Sequence, residues 1–219
     1  MTRIAIIGGH GKVALHLSAL LTEEGHSVTS FFRNRDHTSE VAETGATPSV
    51  LDIENSTTAA IAEALQGHDA VVWSAGAGGG NPARTYAVDR DAAIRSMDAA
   101  AQAGVNRYVM VSYLGARKDH GVPENNDFFA YAEAKAAADD YLRGTNLAWT
   151  ILGPGTLTDK PGTGSIKVDP EPGEGDRGTS RSNTAIVAAA VLDLPETAGR
   201  MIEFCDGSLP VAAALESLS

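Results

Sequence analysis

Apolar and polar positions follow one another along this chain in short blocks, and each change of block marks an element. The run Ile4-Ala5-Ile6-Ile7, preceded by Arg3, reads as a buried strand over Arg3 to Ile7. It stops at Gly8-Gly9-His10-Gly11, and from Lys12 apolar residues return at helical spacing until about Glu24, where Gly25 ends the helix. Ser27 to Phe32 is rich in β-branched and aromatic residues and predicts a second strand, and Thr47 to Leu51 a short third. Ser56 to Gln66 reads as a helix closed by Gly67, and Asp69 to Ser74 as a buried strand running into the glycine-rich Ala75 to Gly80. The longest helical pattern, Arg84 to Ala103, ends at Gly104 and is followed by a strand from Arg107 to Ser112. Asp127 to Arg143 is the next helix, closed by Gly144, and Leu147 to Leu152 the sixth strand. A helix from Ser182 to Leu194, a strand from Arg200 to Phe204 and a short helix from Pro210 to Leu218 complete the chain.

This alternation predicts an α/β fold: a doubly wound, mostly parallel sheet with helices on both faces, in a single domain over residues 1–219. One stretch departs from it. Gly153 to Gly178 is rich in glycine, proline and acids and has no period. It is too long for an ordinary connection, so residues 153–180 are expected to form a substrate-side loop, with 181–219 as a small C-terminal extension.

Composition narrows the class. The net charge of −11 speaks against nucleic acid as a partner. The single cysteine, Cys205, allows no internal disulfide and suits a reducing cytoplasm. No apolar run reaches the roughly 18 residues of a membrane span, and no secretory leader is evident at the N-terminus. A small-molecule substrate is the expected partner, and oligomeric state is not readable from the chain.

Open parallel sheets bind ligands at the carboxyl ends of their strands, and the chemically notable residues fall there. The first turn can be parsed as GxGxxA from Gly9 or as GxxGxxA from Gly8, with Ala14 at the close-packing position. Glycines let backbone and ligand approach closely, and the following helix directs free N–H groups and its positive dipole end at whatever lies over the turn. A dinucleotide diphosphate fits that description. An ordinary glycine turn before a helix would share the motif; the apolar run in front of it favours the cofactor site.

Tyr131 and Lys135 form a YxxxK pair, which on a helix shares one face. An ammonium beside a phenol would lower the tyrosine's pKa from about 10 toward proton exchange at neutral pH. Ser112, at the end of its strand, could donate to a substrate oxygen. After the second strand the chain reads Phe32-Arg33-Asn34-Arg35, where a cofactor with a free ribose would call for an acid. An arginine there predicts NADP over NAD, although Arg33 or Arg35 could equally do no more than solvate the loop. The six histidines are spread along the chain and form no metal-ligand spacing, so no metal is expected.

These residues together resemble the atypical short-chain dehydrogenase/reductases, the small NAD(P)-binding group of NmrA-like, epimerase-like and biliverdin-reductase-B-like proteins. The likeness rests on the glycine turn, Ser112, Tyr131 with Lys135, Ile151-Leu152-Gly153-Pro154-Gly155, Ser180-Arg181-Ser182-Asn183-Thr184-Ala185, and Asp206-Gly207 before Pro210. It implies a Rossmann fold and a nicotinamide cofactor, with Tyr131 as general acid/base, Lys135 orienting the ribose and tuning Tyr131, and Ser112 polarising a carbonyl. The cofactor would contact Gly8, Gly9, His10, Gly11, Lys12, Val13, Arg33, Asn34, Asp52, Ala75, Gly76, Lys135, Pro154 and Gly155. The strand end Val111-Ser112-Tyr113 departs from the two serines common in such relatives. The expected function is hydride transfer between NADP(H), with NAD possible, and a small carbonyl or conjugated substrate. A cofactor-sensing NmrA-like protein without turnover is the alternative. So is a sugar epimerase or dehydratase, for which the chain after the sixth strand leaves little wall.

Overall fold

The computed structural model describes every residue except Gly79, 172–175 and Ser219. The chain forms β1 (Arg3–Ile7), α1 (Lys12–Glu23), β2 (Ser27–Phe32), α2 (Thr38–Glu43), β3 (Thr47–Val50), α3 (Thr58–Leu65) and β4 (Ala70–Trp73). A broken helix follows: α4 (Pro82–Thr85), a π-helical stretch over Tyr86–Ala92, and α5 (Ala93–Gln102). Then come β5 (Arg107–Val111), α6 (Phe129–Arg143), β6 (Ala148–Pro154), β7 (Thr156–Thr158), β8 (Ser165–Val168) and β9 (Gly178–Ser180). The chain closes with α7 (Arg181–Leu192), β10 (Arg200–Asp206), β11 (Leu209–Pro210) and α8 (Val211–Glu216).

The main sheet runs in the order β3-β2-β1-β4-β5-β6-β10-β8-β11. Strands from β3 to β10 are parallel, and β8 and β11 add an antiparallel edge. Winding reverses between β1 and β4, which opens a crevice at their carboxyl ends. The unbroken apolar character of β1 has a simple cause. Ile4 and Ile6 face the layer of α1 and α7 with Leu17, Leu21 and Ala188, while Ala5 and Ile7 face the layer of α3, α5 and α6 with Ile61, Met97 and Leu142. A strand covered on both faces has no polar side to show.

Three local features differ from the sequence reading. The helix expected over Arg84 to Ala103 is interrupted by the π-helical stretch, which turns Asp89 into the interior. A short helix, α2, lies where no element was expected; it buries only Val41, too little to leave a period in the sequence. Within residues 153–180, expected as an irregular loop, β7 pairs with β9 and β8 pairs with β10; the positions 172–175 lie outside the described residues. These strands are short, and β9 buries the polar Thr179 and Ser180, so hydropathy does not reveal them. In the stretch 181–219, whose last residue is not described, α7 packs on α1 and β10 continues the sheet beside β6; both complete the central core.

Candidate cofactor and substrate site

The first turn is built for close approach. Gly8 has φ +89°, and a Cβ there would lie 2.5 Å from the backbone of Ala75 at the end of β4. A Cβ on Gly9 would lie 2.5 Å from the Ser30 Cβ. The amides of Gly8 and Gly9 both donate to the Phe31 carbonyl, at 3.0 and 2.8 Å, locking the turn onto β2. Gly11 is the N-cap of α1 with extended dihedrals and no side-chain cap, so the helix start keeps amides for a ligand.

Above the turn lies a groove of about 240 Å³ lined by Gly8, His10, Gly11, Arg33, Asn34, Asp52, Ala75 and Gly76. Eight of the expected cofactor residues therefore converge there. Lys12 and Val13 do not line it: Lys12 Nζ pairs with Asp159 Oδ2 at 2.7 Å, and the Val13 side chain packs in the core. Gly9 acts from behind, through its contact with Ser30. Pro154 and Gly155 line a neighbouring cavity instead.

The far end of the groove gathers partners around the expected Arg33 that sequence reasoning did not foresee. Arg33 and Arg84 share Glu54, at 3.1 and 3.2 Å, and His37 also lines the groove. Asp52 is tied into its own turn, accepting from the Glu54 amide and from Asn55 Nδ2. The histidines are not all scattered. His10 stacks on His37 with ring centroids 3.4 Å apart, and His10 Nε2 meets Glu40 Oε2 at 2.7 Å. The ligand atoms of His10, His37 and Glu40 lie within 4.8 Å of one another, so the fold builds a candidate cluster where the sequence showed no metal spacing.

Beyond the β4 end, Ser112, Tyr113, Leu114, Phe128, Tyr131, Pro154, Gly155, Leu157 and Arg177 enclose a second cavity of about 520 Å³. Tyr113, Phe128 and Tyr131 form an aromatic triangle, with ring centroids 5.2 to 5.6 Å apart. Phe128 and Arg177 were not expected here; Phe128 stands at the N-cap of α6, and Arg177 comes from a segment without a readable period.

The YxxxK pair sits on α6, but its electrostatics differ from the sequence expectation. Lys135 is fully buried, and its Nζ donates to the Val111 carbonyl at 2.8 Å and contacts Met110 Sδ at 3.3 Å. Burial lowers its pKa, while Asp139 and Asp89 act in the opposite direction. The Tyr131 phenol is pushed up, not down: burial dominates, and the carboxylates Asp89 and Asp139 add to it. Two acids near the lysine offset the effect that the ammonium alone would have had. Asp89, in the π-helical stretch, accepts from the Ala77 amide at 3.0 Å and lies under Gly76, where a Cβ would come within 3.1 Å of its Oδ1. Such π-helical turns are frequent at functional sites. Ser112 gives its hydroxyl hydrogen to Asp139 Oδ2, 2.5 Å away, and not to the cavity. Asp139 was legible in principle, because the spacing that links Tyr131 to Lys135 reaches it one turn later.

A doubly wound parallel sheet with a glycine cradle at its switch point defines a dinucleotide-binding protein of the Rossmann type. The NAD(P)H-binding family matches residues 8–195, and the chain belongs to that family. It is 32% identical to the "Uncharacterized sugar epimerase YhfK" of Bacillus subtilis (strain 168), over 99% of this chain and 100% of that protein. Among solved structures, a "putative NAD-dependent epimerase/dehydratase" from Bacillus halodurans superposes with a TM-score of 0.90 at 32% identity, covering 99% of this chain and 100% of that one. The oxidoreductase ylbE from Lactococcus lactis gives 0.87 at 26% identity, over 99% and 96%. Among the described residues no helix is long and apolar enough to cross a membrane.

Proposed function

We propose that this protein is an NADP(H)-preferring oxidoreductase of the short-chain dehydrogenase type that reduces a small carbonyl or conjugated substrate. The observation that carries the reading is that Tyr131 and Ser112 open into one aromatic-walled cavity, at the strand end next to the glycine-cradled groove. The cradle fits a nicotinamide dinucleotide, since side chains on Gly8 or Gly9 would collide with backbone or with Ser30. When bound, the reduced cofactor supplies hydride. Tyr131 supplies the proton from the cavity wall: its phenol is protonated at neutral pH, and burial makes it a weaker acid than a free tyrosine until cofactor and substrate alter its surroundings. Lys135 anchors α6 to the end of β5 through Val111 and so fixes Tyr131 relative to Ser112. Arg33 and Arg84 outnumber the single carboxylate they share, and Asn34, His10 and His37 stand beside them. That excess of donors favours a 2′-phosphate. The relative titled an oxidoreductase, at 26% identity, agrees with this reading.

The relatives named as epimerases favour a second reading, action on a sugar substrate. The apolar triangle of Tyr113, Phe128 and Tyr131 suits a flat conjugated group better than a polyhydroxylated one. A cofactor-sensing protein without turnover needs the glycine cradle but none of the second cavity's chemistry. Purified protein given NADPH and a panel of ketones, quinones and flavins tests the choice. Oxidation of NADPH that Tyr131→Phe removes supports the reductase; tight NADPH binding with no turnover on any of them supports the sensor.

A further inference from the structure

Asp139 has no part in the roles above, yet it is one of the most enclosed charged groups in the chain. It stands one turn beyond Lys135 and two beyond Tyr131 on α6, so the three share a face. One carboxyl oxygen, Oδ2, receives the Ser112 hydroxyl; the other, Oδ1, is buried without a hydrogen-bond partner. A carboxylate with unmet lone pairs in such a place is costly, and the neutral acid is less so. The acid's O–H would have the Ser112 oxygen within hydrogen-bond distance.

A serine has one hydrogen to give. While that hydrogen lies on Asp139, Ser112 can only accept from the cavity and cannot polarise a substrate oxygen. We propose that Asp139 is a positioning residue that sets the direction of Ser112's hydrogen bond. As a carboxylate it holds the serine's hydrogen. As an acid it donates to Ser112 Oγ and frees the serine's hydrogen for a substrate oxygen. The proposal rests on the reading of the site as an oxidoreductase and deepens it.

The chemistry balances without consuming the Asp139 proton. In reduction the substrate C=O π bond breaks, hydride from NADPH adds at carbon with NADP⁺ left behind, and the Tyr131 proton adds at oxygen; a proton taken up from bulk solvent then restores the phenol. Ser112 only donates a hydrogen bond to the oxygen as charge grows there. Oxidation runs back through the same transition state: the substrate O–H proton goes to the Tyr131 phenolate, hydride leaves carbon for the oxidised cofactor, and Ser112 again donates to the oxygen. The acid form thus supports hydride transfer in both directions, and the carboxylate form withholds the serine's hydrogen from the substrate oxygen.

The groups facing Asp139 are Lys135 and Arg143 on its own helix and Ser112 at the end of β5. Tyr131 and Tyr113 feel its charge, and Asp89 in the π-helical stretch acts on the same ammonium. Burial pushes the Asp139 carboxyl up, against the opposing pull of Lys135, the Ser112 hydrogen bond and Arg143.

The test has two arms on the full-length protein. Carboxyl-carbon NMR follows the Asp139 titration, assigned by its loss in Asp139→Asn. Ser112→Ala removes a donor to the carboxylate, so the Asp139 titration is expected to move to higher pH. Single-turnover oxidation of NADPH with 4-nitrobenzaldehyde as probe is expected to slow as pH rises through that same titration. The step should vanish in Asp139→Asn, whereas Ser112→Ala should be slower by about 100-fold below the titration, approach the native rate above it, and show no step. An Asp139 titration unmoved by Ser112→Ala overturns the proposal, as does a pH step that survives in Asp139→Asn. Hydride transfer absent from every variant, beside a titration that does move, overturns the oxidoreductase reading and leaves the Ser112–Asp139 coupling intact.

Discussion

Lys135 donates to the carbonyl of Val111 at 2.8 Å, one residue before Ser112. A charged hydrogen bond thereby ties the middle of α6 to the end of β5. Tyr131 lies on α6 and Ser112 directly follows β5, so this contact sets their relative position across the cavity. Lys135 is also the cation between two buried acids, Asp89 and Asp139.

Removing that cation is expected to destabilise the fold. Lys135→Met removes the charged hydrogen bond to the Val111 carbonyl and the cation near both carboxyls, and loss of such a hydrogen bond costs about 1.5–3 kcal/mol. For a chain of this size that lowers the melting temperature by roughly 3–12 °C in calorimetry. The loss has a pH signature. Both acids have folded pKa values raised above the ordinary value near 3.8, so the native state holds more protons than the unfolded one between the two values. Their stabilising contribution is fully present below that ordinary value and is lost as pH rises through the raised one. Asp139→Asn should flatten part of this decline, and an unchanged slope would argue against the assignment.

The opposite sign applies at the rim of the sheet. Arg3 holds the Asp69 carboxyl down, to about 2, through side-chain and backbone hydrogen bonds. The stability from this bond is present above the ordinary value near 3.8 and is lost as pH falls through about 2. Asp69→Asn is expected to trim only this acid limb, read by circular dichroism during acid titration. The pair is solvent-exposed, so the effect at neutral pH should be small.

Gly8→Ala is expected to weaken cofactor binding. The residue has φ +89°, and the added carbon would lie 2.5 Å from Ala75 backbone, so the turn must move. Fluorescence titration with NADPH should show at least about tenfold weaker affinity, the equivalent of about 1.4 kcal/mol.

Arg33→Ala should weaken NADPH binding by about 10- to 100-fold and leave NADH nearly unchanged. Parallel titrations of the two cofactors measure it. Equal loss for both would mean that the guanidinium acts on the groove in general and not on a 2′-phosphate.

Tyr131→Phe keeps the ring that packs on Tyr113 and Phe128 and removes the proton donor. Turnover should fall by about 10²- to 10⁴-fold with cofactor affinity retained. A variant that still turns over at near the original rate would transfer the donor role elsewhere.

Much of the site was readable because it depends on short spacings. The glycine turn follows from one strand meeting one helix, and Tyr131 with Lys135 follows from the helical repeat. Extending that repeat one more turn leads to Asp139, but an aspartate on a helix is ordinarily a solvated residue, and nothing local says that this one is buried. Glu54, Arg84 and His37 left no such trace, because they reach the groove from three separate segments. The strands inside 153–180 were illegible for another reason: polar residues such as Thr179 are buried there by hydrogen bonding and not by apolar contact.

Local pattern alone determined the alternation of strand and helix, the cradle at the first turn and the phenol–ammonium pair on one helix face. These depend on backbone preference and on residues a few positions apart. Tertiary packing decided which charges meet: Ser112 with Asp139 across 27 positions, Arg33 with Glu54 across 21, and Lys12 with Asp159 across 147. The direction of the Tyr131 pKa was decided there too. The physical reason is that charge pairing and desolvation depend on distance in space, and only the folded sheet brings these separate strand and helix ends to one edge.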